Sequence, residues 1–219
     1  MTESSFGRNE VLRLSGHFIS TRLVLASSSA ARRSLLEASG LPFEVHTADV
    51  DENVLKQAGQ AAGDSPATVA IRLASAKALA VSEMLADPHA MTIGADQMLS
   101  CDGTWFDKPV SSAQAREQLG QLRNRTHHLY SAVVLCQGST ILWHHVSTPA
   151  LTMRAFSDAF LDTYFALDGG ACLSCVGAYR LEGPGIHLFD RIEGEQSAIL
   201  GLPLLPLLRA LRDHGILAG

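Results

Sequence analysis

Leu23-Val-Leu-Ala-Ser-Ser-Ser-Ala-Ala-Arg-Arg-Ser-Leu-Leu36 passes from an apolar triplet through three serines into a helix-forming run. Leu23-Val-Leu25 reads as a short buried strand. Ser27, Ser28 and Ser29 are N-cap candidates, because a side-chain oxygen there accepts from a free N–H of the first helical turn. The helix this predicts, from Ala30 to about Ser39, is stopped by Gly40 and Pro42. A strand, a serine-rich turn and a helix start bring backbone N–H groups, hydroxyls, the positive helix end and the guanidinium groups of Arg32 and Arg33 to one point. That chemistry suits a polyphosphate. The same residues serve equally well as an ordinary helix cap followed by solvated arginines, and the pattern is neither a Walker loop nor a dinucleotide fingerprint.

Outward from this stretch, helices and strands alternate. Ser65 caps a second helix with Pro66 at its first position, and Val69, Leu73, Ala76 and Ala80 form its apolar stripe, with Lys77 beside it. Met91-Thr-Ile-Gly-Ala95 reads as a strand, and Asp102-Gly103 as a hairpin turn returning through Thr104 to Phe106. Asp96 thus falls in or at the end of a sheet strand. Ser111-Ser-Ala-Gln114 resembles a capping box for a helix with Ala115, Leu119 and Leu122 inward. Strand-forming segments follow near 126–136, 139–147 and 149–155. A helix capped by Ser157 then runs to Gly169-Gly170, a Gly-rich hairpin region spans Gly183 to Gly185, and a final helix covers about 203–213. Strands joined both by helices and by hairpins predict an α/β fold with a mixed sheet rather than a purely parallel doubly wound one. No repeat or linker divides the chain, so residues 23–219 are read as one domain after a poorly ordered extension, 1–22.

Asp96 could bind a metal or take a proton from water attacking phosphorus, or could simply be a turn residue. The cations Lys77 and Lys108 and the acidic pair Asp51-Glu52 favour the first reading, because phosphate hydrolysis needs positive charge to offset the substrate and a base to orient water. Cys172-Leu-Ser-Cys175 has the spacing of a redox or zinc half-site but no second cysteine pair. His127-His128 and His144-His145 cannot chelate as pairs, since adjacent strand side chains point to opposite faces. The serines lack a Gly-x-Ser-x-Gly elbow.

Composition narrows the class. The 219 residues, 47% of them hydrophobic, can bury a substantial core. A formal net charge of -5 without long charge runs gives no electrostatic footprint for nucleic acid. No stretch approaches the roughly 20 apolar residues that cross a bilayer, and the polar N-terminus lacks a secretory core, so a cytoplasmic protein without a membrane partner is expected. The four cysteines are too few for a disulfide framework and read as reduced thiols.

Several separated motifs, in order, resemble the Maf-like nucleoside triphosphate pyrophosphatases: Leu25 to Leu36, Val50-Asp-Glu52, Arg72-Leu-Ala-Ser-Ala-Lys77, Gly94-Ala-Asp96, Lys108-Pro109, Thr126-His127, Gly177-Ala-Tyr179 and Ile192-Glu-Gly194 with Gly201-Leu-Pro203. The resemblance implies two lobes around a central cleft, as in Maf and ITPase-like folds. It also implies hydrolysis of a nucleoside triphosphate to the monophosphate and pyrophosphate with a divalent cation, Mg²⁺ or Mn²⁺, in a homodimer. By motif position Asp96 is the base that activates water and, with Glu52, a metal ligand; Ser27, Arg32, Lys77 and Lys108 hold the triphosphate. Gln97 and Glu182 look like the branch acting on 7-methyl-GTP, and an ionised Glu182 offers only acceptors to a base. Two departures stand out: Ala30 replaces the family's usual proline, and Ala31 stands where that branch has a tryptophan able to stack on a cationic ring. The alternative is a nucleotide-binding regulator of cell division with little catalytic activity.

Overall fold

The structure, a computed structural model, describes residues 21–217. The poor order expected of residues 1–22 falls, up to residue 20, outside them. Strand β1 (Leu23–Ala26) runs parallel to both its neighbours, β2 (Glu44–His46) and β3 (Met91–Cys101). The remaining strands are β4 (Thr104–Phe106), β5 (Thr126–Gln137), β6 (Thr140–Ser147), β7 (Ala150–Met153) and β8 (Phe189–Glu193), and all of their pairings are antiparallel. They make one mixed sheet in the order β2-β1-β3-β5-β7-β8, with β4 on β3 and β6 on β5. The expected α/β fold with a mixed sheet is borne out.

The sheet is forked. β5 covers one edge of β3 from Met91 to Ser100, so β1 and β4 share the other edge. β1 pairs there with Met91 to Gly94 and β4 with Leu99 to Cys101, leaving Ala95 to Met98 without a strand on that side. The far edge of β5 divides likewise, between β6 from Ser131 to Gln137 and β7 from Thr126 to His128. Two wings therefore share β3 and β5, and a cleft opens where β1 leaves the sheet.

Helices cover the wings. Ser29 caps α1 (Ala30–Ala38) and Ser65 caps α3 (Pro66–Leu85), each accepting from the N–H three residues on. Between them lies α2 (Glu52–Ala62), a helix the sequence did not announce, capped by Asp51 and ended by Gly63 at φ +71°. α4 (Ser112–Leu122), α5 (Asp158–Asp168), α6 (Gln196–Ile199) and α7 (Leu204–Asp213) complete the set. Leu25, Leu36, Ile93, Leu135 and Leu211 pack one wing; Leu99, Leu119, Leu151 and Tyr164 pack the other. Among the described residues no helix is long and apolar enough to cross a membrane.

Asp96 lies within β3, one of the two places the sequence allowed it, and the strand read as Met91 to Ala95 continues to Cys101. Other expectations need correction. The buried face of α3 is Val69, Ala70, Leu73, Ala74, Ala78 and Val81, not a stripe through Ala76 and Ala80. Small side chains turn inward where the helix crosses Gly94, and Lys77 lies on that face between Leu73 and Val81. Gly183 to Gly185 is no hairpin but the entry to a short 3₁₀ turn, Pro184–Leu188, that leads into β8. α6 precedes the final helix unannounced.

Candidate active site

A cleft of about 560 Å³ at the fork is lined by all nine residues singled out from the sequence: Ser27, Ala31, Arg32, Glu52, Lys77, Asp96, Gln97, Lys108 and Glu182. Arg33 is elsewhere, exposed and paired with Glu37 one helical turn away.

The serine turn and the first arginine act as one unit. Arg32 Nη1 donates to Ser27 Oγ at 3.1 Å and to the Ala95 carbonyl at 2.9 Å, and Nε donates to the Gly201 carbonyl at 2.8 Å. The Ala95 oxygen is one of the groups the fork leaves without a strand partner, so the guanidinium satisfies it. All three acceptors are neutral, and the Arg32 charge is therefore not cancelled by contact. Burial pushes its pKa below the usual arginine value, opposed by the carboxylates of Asp96 and Glu52.

Opposite stands the carboxylate pair. Asp96 is 5% exposed, and its Oδ1 lies 2.5 Å from Lys77 Nζ, which also lies 2.8 Å from Glu52 Oε1. The acidic pair of the sequence is thus divided: Asp51 caps α2 while Glu52, in its first turn, faces the cleft. Burial works against the ionised form of Glu52, but the Lys77 ammonium bonded to it, with the charges of Lys56 and Lys108, brings its pKa below the ordinary carboxylate value. Two carboxylates close enough to share one ammonium can also share Mg²⁺, which takes one or two protein carboxylates and completes its shell with water and phosphate oxygens. Among the described residues no group of three or more His, Cys, Asp or Glu is arranged to hold a metal ion by itself. The residues present fit a cation that arrives with its substrate.

Gln97, the next residue along β3, is fixed by its amide nitrogen. Nε2 lies 3.2 Å from the Ala198 carbonyl, 3.0 Å from the Ile199 carbonyl and 2.8 Å from Ser131 Oγ. Two carbonyls can only accept, so the nitrogen must face them and Oε1 is the end left for the cleft. Glu182 is exposed and lines the cleft. Tyr179, also part of the lining, has its Oη 2.8 Å from Nε2 of the fully buried His127. His128, its neighbour, is exposed, as alternation along β5 predicts.

Sequence reasoning missed Lys56, Asp107 and Arg180, all on the cleft wall. Lys56 Nζ is 2.6 Å from Asp107 Oδ1 and 3.9 Å from Glu52 Oε2. Burial is the largest single influence and opposes the Lys56 charge, but the bond to Asp107 together with the charges of Asp107, Asp96 and Glu52 raises the pKa. Arg180 is held by the buried Asp168 at 3.1 Å. Lys56 follows Glu52 by one helical turn, a signal readable only once α2 is recognised. All four cysteines are free; Cys175 lines the cleft and Cys172 is buried.

The family described as Maf-like protein matches residues 22–214. A nucleoside triphosphate pyrophosphatase of Granulibacter bethesdensis is 52% identical over 193 residues, covering 88% of this chain and 97% of that protein. One from Gluconobacter oxydans is 52% identical over 200 residues, 91% of this chain and 98% of its own. A 7-methyl-GTP pyrophosphatase of Rhizobium meliloti is 48% identical over 193 residues, 88% and 96% of the two chains.

Proposed function

The chain belongs to the Maf-like protein family, and from that premise we propose that its cleft hydrolyses a nucleoside triphosphate between the α- and β-phosphates, releasing the monophosphate and pyrophosphate. The observation that carries the reading is Asp96: a nearly buried carboxylate in mid-strand that lines the cleft and is bonded to Lys77.

Asp96 orients a water and accepts its proton as the water oxygen bonds to the α-phosphorus. The bond from that phosphorus to the bridging oxygen breaks, and its electron pair leaves with pyrophosphate. Arg32, Lys77 and Lys108 offset the charge that builds on the phosphate oxygens. Arg32 also holds Ser27, so both present a fixed edge to the substrate. Glu52 and Asp96 are the residues to hold Mg²⁺ or Mn²⁺, which when bound neutralises phosphate charge.

Gln97 Oε1 and the Glu182 carboxylate are both acceptors, which suits the donor edge of a guanine, and the Glu182 charge favours a cationic methylated ring. The name of the Rhizobium meliloti relative supports 7-methyl-GTP as the substrate. Turnover compared across 7-methyl-GTP, GTP, dTTP, UTP and CTP tests this: 7-methyl-GTP should be fastest, and a preference for dTTP or UTP would overturn the base assignment while leaving the reaction intact.

A further inference from the structure

We propose that Lys56 is an additional phosphate-binding residue, held by Asp107 and released to the substrate's polyphosphate on binding. The inference rests on the pyrophosphatase reading and extends it to a residue outside the motifs that identified the site.

The cleft cations differ in how firmly their charge is committed. Lys77 is shared by Glu52 and Asp96, and Asp96 keeps only 8% of its side chain exposed. Taking Lys77 away would strand a buried carboxylate, which is strongly unfavourable. Arg32 is committed to three neutral oxygens. Lys108 forms no ion pair among the described residues. Lys56 has 17% of its side chain exposed and its closest partner, Asp107, has 61%. When Lys56 lets go, the Asp107 carboxylate is rehydrated almost where it stands, so the exchange of one oxyanion for another is nearly free of a desolvation penalty.

The backbone around the exchange is fixed. Gln118 Nε2 donates to the Asp107 carbonyl at 3.0 Å, and Gln114 Oε1 accepts from the Val110 N–H at 2.8 Å. The segment that presents Lys108 therefore stays in place when the Asp107 side chain loses its partner. Lys56, from α2, and Lys108, from the segment after β4, both line the cleft, and the charges of both act on Glu52. A polyphosphate tail with several charged oxygens is the ligand that can meet both.

Parking and latching give opposite signs. If Asp107 parks Lys56, Lys56→Gln removes a phosphate contact while Asp107→Asn frees one; if the pair is a latch between wings, both variants weaken the site alike. The experiment uses the full chain with Mg²⁺ at low salt, measuring KM and kcat for the preferred triphosphate and the Kd of inorganic pyrophosphate by calorimetry. Lys56→Gln should raise KM and the pyrophosphate Kd about tenfold, in line with a charged hydrogen bond discounted for exposure. Its kcat should stay within about twofold, as expected for a contact made equally in ground and transition states. Asp107→Asn should lower both constants. Equal weakening by the two variants, or an unchanged pyrophosphate Kd in Lys56→Gln, overturns the proposal. If the wild-type chain turns over no triphosphate, the pyrophosphatase reading fails and the pyrophosphate Kd alone still decides for or against Lys56.

Discussion

Gly94 lies so close to Ala74 that a Cβ built on it would stand 2.1 Å from the Ala74 carbonyl oxygen. That contact sets the height of α3 over β3, and one turn further along the helix Lys77 reaches Asp96, two residues beyond Gly94. The obstacle is backbone, which cannot rotate aside as a side chain would. Gly94→Ala should therefore destabilise the fold by about 3 kcal/mol, at the upper end for overpacking, and reduce turnover beyond what the unfolded fraction explains. Urea unfolding with activity measured at matched folded fraction checks both; a wild-type midpoint would contradict the packing assignment.

Gln97 faces two carbonyls with its amide nitrogen, and Gln97→Glu would aim a carboxylate at the same oxygens. Leaving those acceptors unpaired against a charge should destabilise the chain by about 3 kcal/mol or more, with α6 loosened first. Hydrogen exchange across residues 196–199 should rise selectively. Unchanged protection there would mean that the amide is not the anchor.

His127 gives a pH dependence with a definite sign. Burial, with a smaller contribution from His128, lowers its pKa from 6.5 to about 4. The unfolded chain therefore binds the proton more readily. The stability tied to neutral His127 is fully present above pH 6.5 and is lost as pH falls towards 4, about 3 kcal/mol in all. His127→Gln should flatten the stability profile between those limits relative to wild type. Parallel profiles for the two proteins would contradict it.

Much of the fold was legible where its signals are local. Ser29, Ser65 and Ser111 cap the helices they announce, and Asp102-Gly103 turns with both residues at positive φ, as a two-residue hairpin requires. α2 was not legible: Gly59 is its only buried residue, so no apolar period marks it. The fork was invisible for a different reason. Where β1 leaves β3 and β4 joins it depends on pairings across the chain, and nothing in Gly94-Ala-Asp96 alone distinguishes a strand end from mid-strand. The nine candidate residues that line the cleft were singled out through ordered motifs, whereas Lys56 and Asp107, 51 residues apart, meet only through the fold.

Ala31 lines the cleft without an aromatic face. Ala31→Trp should lower KM for 7-methyl-GTP about fivefold, the range of a partly desolvated cation–π contact, with a smaller change for GTP. An equal gain for both nucleotides would assign the effect to burial rather than to the ring charge.

The reaction itself is tested most directly by single-turnover product analysis with Mg²⁺ in ¹⁸O-water, comparing wild type with Asp96→Asn. Water activated by Asp96 and attacking the α-phosphorus predicts pyrophosphate free of label, a monophosphate carrying it, and loss of most turnover in the variant. Release of orthophosphate with a nucleoside diphosphate, or near-normal turnover by Asp96→Asn, would contradict it.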